Sequence, residues 1–342
     1  MVDRIAPVAV AGGRLLTELV DVTHDLAALD SKGMWAVVVP FDGEPVCARF
    51  ARADPAPGRV APDRTWPPVD PIRWESSLDR DAFEKGVDLV REAIAAGDVY
   101  QVNLCRVLSA PLTQPIDIVP LYDALAAAHP APHAALVSLP DHGVQVASAS
   151  PERFLRRDGD TVVSSPIKGT AVEGDTEALL ASAKDRAENV MIVDLVRNDL
   201  GRVCQWGSVD VTALCRLERH PGLVHLVSTV TGRIRPGTGW PELLAAAFPA
   251  GSVTGAPKLA ALDHIRRLEP ASRGVYCGAV GWVDADTGTG DLNVAIRTFW
   301  IDAGRLSFGT GAGITWDSDA ASEWDETELK ASRLLAVAAA AT

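Results

Sequence analysis

The chain has 342 residues, 47% of them hydrophobic and 23% charged, the profile of a globular protein of one large domain or two ordinary ones. Lys plus Arg number 32 against 45 Asp plus Glu, and the net charge of −13 argues against a nucleic-acid partner and requires local cations for any anionic substrate. Five scattered cysteines without a C-x-x-C pair, no apolar run near the ~20 residues of a membrane span and no signal-peptide layout in Met1–Ala11 predict a cytoplasmic protein without disulfides, zinc or membrane contact.

Val8–Ala11, Met34–Val39 and Pro45–Phe50 read as short strands, the last two joined through Asp42-Gly43. Six prolines between Pro55 and Pro71 form the clearest linker. They divide the chain into a short strand-rich part, residues 1–73, expected to pack on the same fold, and a catalytic domain over residues 74–342. Phe83, Val87, Val90 and Ile94 define one face of a helix over Asp79–Ala96, with Gly97 as its C-terminal cap. A strand at Val99–Leu108, a helix at Val119–Ala128 and strands at Ala134–Leu139, Val144–Ala147 and Phe154–Arg157 follow.

Thr161–Val163 then leads into Ser-Ser-Pro-Ile-Lys-Gly-Thr, residues 164–170. Pro166 removes a ladder donor and Gly169 permits unusual backbone, so Lys168 is held at a punctuated strand end. Alone, it is either a solvated charge or a nucleophilic or charge-binding lysine. Helices are expected at Thr176–Lys184, capped by Asp175, and at Arg186–Leu200. In the second, Glu188 shares a face with Ile192 and Leu195. Such a carboxylate either needs a cation or proton or simply favours the helix N-terminus.

Strands at Val209–Ala213 and Leu223–Ile234 precede helices at Pro241–Phe248 and Ala256–Leu268. Gly251–Lys258 opens the latter, either as a capped helix start or as an anion site. Strands at Val275–Val283, Leu292–Ile301 and Leu306–Thr310 lead to a final helix at Ala320–Ala339, capped by Ser318 or Asp319. Arg297 falls inside the second of these strands, where a guanidinium calls for a carboxylate from the protein or from a substrate. Tyr276 and His225 are polar tips on apolar strands. Gly309, Gly311 and Gly313 allow a close backbone approach to an anion. Glu323, Glu326 and Lys330 project from one side of the last helix, as a solvated pair or as carboxylates for Mg²⁺. Hairpins joining most strands, with helices in blocks, predict an α+β fold with antiparallel sheets.

These segments in their order resemble the chorismate-utilising enzymes, most closely the aminodeoxychorismate synthase component I branch. The resemblance rests on Gly97–Leu104, Ser150–Phe154, Pro166–Thr170, Lys184–Asn189 with Asp194–Gly201, Gly251–Lys258, Arg297-Thr298 and Gly311–Gly313. It covers roughly Trp74 to the C-terminus. It implies two stacked antiparallel sheets flanked by helices, a four-layer αββα sandwich, and a Mg²⁺-dependent chorismate site. Anthranilate synthases carry alanine where this chain has Lys168, and isochorismate and salicylate synthases carry a base lysine where it has Gln101.

By resemblance, Lys168 attacks C2 of chorismate, Glu152 protonates the departing C4 hydroxyl, and ammonia adds at C4, on a route to p-aminobenzoate and folate. Glu188, Glu323 and Glu326 would hold Mg²⁺. Gly169, Thr170 and Lys330 would bind the ring carboxylate, and Tyr276, Arg297 and Gly313 the enolpyruvyl carboxylate, with His225 lining the ring. The chain lacks the catalytic cysteine layout of a glutaminase, so ammonia would come from a separate glutamine amidotransferase subunit. The alternative within the family is anthranilate synthase component I, which releases pyruvate.

Overall fold

The computed structural model describes residues 6–220 and 223–340. Among them are eighteen strands, all paired antiparallel, and seven α-helices. This is the α+β class that hairpin-linked strands and blocks of helices predict.

The strands form one path of neighbours. Gln101–Pro111 pairs along its length with Arg305–Ile314. The path continues through Thr298–Asp302, Val144–Ser150, His133–Leu139, Val8–Ala11 and Arg14–Thr23. The long pair of Arg14–Thr23 with Val46–Pro55 carries it into a second half. That half runs through Met34–Val39, Ala279–Asp284, Thr289–Val294, Arg153–Asp158, Thr161–Ser165 and Leu223–Arg233, with Asp210–His220 at its edge. Strands before the proline-rich stretch therefore sit in the middle of the path.

Side chains alternate across a strand, so each half has two faces. Ala9 and Ala11 enter a core that also takes Val137 from the first half and Val37, Val280 and Leu292 from the second. Val8 and Val10 point the other way, into a core with Val119 and Leu125 of the helix Val119–Ala128 and Leu334 of the helix Ala320–Ala339. The two halves thus share an inner core, and helices cover the outside.

Local signals placed several elements as expected. The helix Arg80–Ala96 starts where Asp79 accepts a hydrogen bond from Ala82 N at 2.8 Å and ends at Gly97, φ +84°. Its Phe83, Val87 and Val90 are buried. Asp319 caps Ala320–Ala339.

Other expectations were wrong. Arg14–Thr23 is a ten-residue strand that polar residues conceal. The strand expected at Val275–Val283 begins at Ala279, because residues 274–278 form a turn. The one expected at Leu292–Ile301 is two strands, Thr289–Val294 and Thr298–Asp302, broken where Arg297 adopts φ +52°. The glycine run lies within Arg305–Ile314 rather than in an anion-binding turn. A Cβ on Gly309 would fall 2.0 Å from the Tyr276 ring, and one on Gly311 2.6 Å from Cys105 Sγ, so close packing requires both glycines. Asp175 makes no capping hydrogen bond to Thr176–Ala181.

Candidate active site

Lys168 lies on Ile167–Val172, which continues the line of Thr161–Ser165 past Pro166 along Leu223–Arg233. The register slips between Ile167 and Thr170. Gly169 sits there with φ +88°, and a Cβ on it would meet Asp185 at 3.1 Å. A bulge of this kind re-aims the side chains beside it. Asn189 Nδ2 donates to the Lys168 carbonyl at 2.7 Å, and Asn189 Oδ1 accepts from Ser228 Oγ at 3.0 Å. This clamp fixes the helix Ala183–Gly201 against the strand. Glu188, one residue earlier on that helix, thereby reaches Lys168, with Nζ to Oε2 at 3.7 Å.

Glu152 is buried next to Lys168. Burial raises its carboxyl pKa to about 7, against the smaller opposing effects of Ser252, Lys168 and the Ile167 backbone. It is therefore half protonated near neutral pH, as an acid catalyst requires.

The helix Ala320–Ala339 brings Glu323 and Glu326 close enough to influence each other. Burial pushes Glu323 above the usual carboxylate range, and Ser318 Oγ donates to it at 2.6 Å. Burial also acts on Glu326, but Lys330, Lys184 and Lys168 outweigh it and hold that carboxyl low. Lys330 Nζ lies 2.6 Å from Glu326 and donates to Gly311 O at 3.1 Å. Lys184 reaches Glu323 at 3.9 Å. Each of the three glutamates expected to hold a metal thus faces a lysine. Among the described residues no three His, Cys, Asp or Glu side chains group closely enough to hold a metal ion by themselves. Mg²⁺ usually takes only one or two carboxylates, plus waters and substrate oxygens. The adjacent all-oxygen pair Glu323 and Glu326 fits that chemistry.

Arg297 is half-buried and, among the described residues, has no carboxylate partner. Burial lowers its pKa. An unpaired, partly desolvated guanidinium suits an incoming carboxylate. His225 faces Thr170 across the sheet, with Nδ1 2.7 Å from Thr170 Oγ1. A Cβ on Gly313 would lie 2.3 Å from Gln101 Nε2 and 3.2 Å from Lys168 Nζ, so both nitrogens crowd that stretch of backbone. Tyr276 is buried over Gly309. Lys258, weighed above as an anion ligand, instead pairs with Asp199 at 2.6 Å and donates to Ala247 O at 2.8 Å.

Lys168, Glu152, Glu188 and Glu326 come from separate segments, and the fold brings the three carboxylates around the lysine. A model of the family described as chorismate binding enzyme matches residues 29–336. The chain belongs to the chorismate-binding enzyme family.

Its relatives carry two names. Anthranilate synthase component 1 of Streptomyces coelicolor is 44% identical over 271 residues, covering 77% of this chain and 52% of that protein. Aminodeoxychorismate synthase of Streptomyces griseus is 43% identical over 297 residues, covering 83% and 39%. The crystal structure of anthranilate synthase component I from Streptococcus pneumoniae superposes with a TM-score of 0.76 at 28% identity, covering 91% and 84%. The chain spans about half the length of curated relatives it matches. The family model reaches back to residue 29, well before the Trp74 at which the motif resemblance begins. No helix among the described residues is long and apolar enough to cross a membrane.

Sequence reading alone gave no structural role to three residues. Asn189 gave no sign that it would clamp Lys168. Gln101 is 1% exposed, and its Oε1 has no partner among the described residues. Ser252 stands by Glu152, and its hydroxyl counters the effect of burial on that carboxyl. Buried polar groups without partners are uncommon enough to mark functional positions, but only coordinates reveal them.

Proposed function

We propose that this chain aminates chorismate at C4 to give 4-amino-4-deoxychorismate, using Mg²⁺ and ammonia supplied by a separate glutamine amidotransferase. The observation that carries this reading is Lys168, enclosed between Glu188, Glu152 and Glu326 and beside Gly313. A lysine there serves as the nucleophile that the anthranilate-forming branch replaces with alanine. Relatives of both names at similar identity make anthranilate synthase component I the second reading.

Chorismate is a dianion, and the −13 chain answers it with local cations. Arg297 and the backbone at Gly313 bind the enolpyruvyl carboxylate, with Tyr276 beside them. Gly169, Thr170 and Lys330 bind the ring carboxylate, and His225 lines the ring. Glu323 and Glu326, with Glu188, would hold Mg²⁺, which would supply positive charge near the ring carboxylate. Lys168 Nζ forms a bond to C2 while the ring double bond shifts and the C4–O bond breaks. Glu152 gives its proton to the departing hydroxyl. Ammonia then bonds to C4, the double bond shifts back, and the C2–Nζ bond breaks with its electron pair returning to Lys168.

The test is incubation with chorismate, Mg²⁺ and ammonium salt, with products identified by mass. The 4-amino product with its enolpyruvyl group retained supports the proposal. Anthranilate with free pyruvate overturns it.

A further inference from the structure

Lys168 sits in the bulge of its strand. Ile167 faces Val227 and Thr170 faces His225, so Lys168 and Gly169 share the single place opposite Leu226. A bulge leaves its extra residue out of the ladder, and here a side chain takes the ladder's place. Asn189 Nδ2 donates to Lys168 O at 2.7 Å and to Asp185 O at 3.2 Å. The amide is held in turn. Cys215 N donates to Ser228 Oγ at 3.0 Å, and Ser228 Oγ donates to Asn189 Oδ1 at 3.0 Å. The direction of each bond is forced. A backbone N–H can only donate, so the serine oxygen accepts from Cys215 and its single proton goes to Asn189 Oδ1. The NH₂ end of the amide is then left facing the two carbonyls. Ser228 is itself tied to the bulge, because its N–H donates to Pro166 O at 3.1 Å. Asn189 and Ser228 are both buried, so these bonds are made away from water.

We infer that Asn189, oriented by Ser228, is a positioning residue that holds Lys168 in place for turnover. The inference rests on the proposed reaction, in which Nζ must meet one ring carbon. A lysine side chain is long and flexible, so its tip is placed only when both of its ends are held. Asn189 holds the backbone end. Glu188 stands 3.7 Å from the charged end, and it is the preceding residue on the same helix. One amide therefore fixes the root of the lysine and, through the helix, the carboxylate at its tip. Asn189 and Ser228 act through Lys168 and not on the substrate. What they supply is a constant distance, in a reaction whose rate falls steeply when the reacting atoms are misplaced. Arg297 and Lys330, the cations assigned to chorismate, stand on other elements. Loss of the clamp therefore strikes turnover and spares substrate binding.

The test is steady-state kinetics on the whole chain with chorismate, Mg²⁺ and ammonium salt, with melting temperature measured beside it. Asn189→Ala is expected to lower kcat about 10- to 100-fold, the cost of misplacing a reacting group by about 1 Å, with the KM for chorismate within about twofold of wild type. Ser228→Ala frees the amide to turn over and is expected to lower kcat by a smaller factor. The double variant is expected to be no slower than Asn189→Ala alone, because the serine acts only through the amide. A kcat within about twofold of wild type in Asn189→Ala, whatever its melting temperature, overturns the inference and leaves the network as support for the fold alone. A KM that rises as much as kcat falls overturns it too, as does a double variant in which the two losses multiply. If Asn189→Ala fails to fold, Ser228→Ala decides by the same split between kcat and KM. Product identity in the wild type separates this from the reaction itself. Anthranilate would refute amination at C4, while a selective fall of kcat in Asn189→Ala would still make Asn189 the residue that positions Lys168.

Discussion

Lys168 Nζ stands 3.7 Å from Glu188 Oε2, with the two side chains 12% and 14% exposed. The lysine comes from a bulged strand and the glutamate from the first turns of a helix, and Asn189 ties the two together. Everything proposed for this site depends on that lysine.

Lys168→Ala is expected to abolish the 4-amino product while the fold, measured by circular dichroism and melting, is retained. Lys168 belongs to none of the buried apolar clusters, so the variant loses one ion pair and no core packing. Full amination by the variant would remove the covalent step and leave only the substrate assignment.

Glu152→Gln keeps the shape and loses the proton, so kcat is expected to drop about 10²–10⁴-fold. In the wild type, with the carboxyl at about 7, the active acid form declines as pH rises above that value. Stability follows the same sign. The folded-state pKa is raised from about 4.5, so stability is full below that pH and falls as pH rises to about 7. The loss amounts to roughly 3 kcal/mol. Chemical denaturation at pH 4.5 and pH 8 is expected to reveal this difference in wild type and a smaller one in Glu152→Gln.

Arg297→Ala is expected to raise the KM for chorismate by about 10- to 100-fold, the range for hydrogen bonds to a charged group, with a smaller change in kcat. Arg297→Lys recovers only part of this, because an ammonium lacks the planar fork. Stability should not fall in either variant, since the guanidinium pairs with no protein carboxylate. A clear loss of melting temperature would mark the arginine as structural.

Gly313→Ala is expected to fold and to lose activity. Its Cβ would meet Gln101 Nε2 at 2.3 Å and Lys168 Nζ at 3.2 Å, both ends of movable side chains in the site. Gly309→Ala is expected to destabilise instead, because its Cβ would strike the buried Tyr276 ring at 2.0 Å. Comparing the two by activity and melting temperature separates a site glycine from a packing glycine.

Arg273→Met is expected to cost about 3–5 kcal/mol of stability, the range for breaking a buried ion pair. Arg273 and Glu269 meet at 2.6 Å with side chains 1% and 6% exposed. Arg273 also donates to Asn103 O and Val253 O, and Glu269 accepts from Cys105 N. Urea denaturation measures the loss. An unchanged midpoint would mean that Glu269 finds another partner.

The sequence by itself determined the fold class, most helices and the candidate residues of the site. Those signals are local. Asp79 and Gly97 bound a helix by their own chemistry, Pro166 and Gly169 punctuate a strand, and Glu323, Glu326 and Lys330 share a helix face by spacing alone. The order of the motifs also carried the family. What only the tertiary structure decided depends on contacts between distant segments. Arg14–Thr23 is a strand because Val8–Ala11 and Val46–Pro55 pair with it, not because of its own pattern. Arg297 breaks its strand at φ +52°, a backbone choice that its neighbours in sequence do not reveal. Lys258 belongs to Asp199, and the glycines at 309 and 311 serve side chains packed over them. Periodicity reports which face of a segment is apolar; it carries no information on which segment that face will meet.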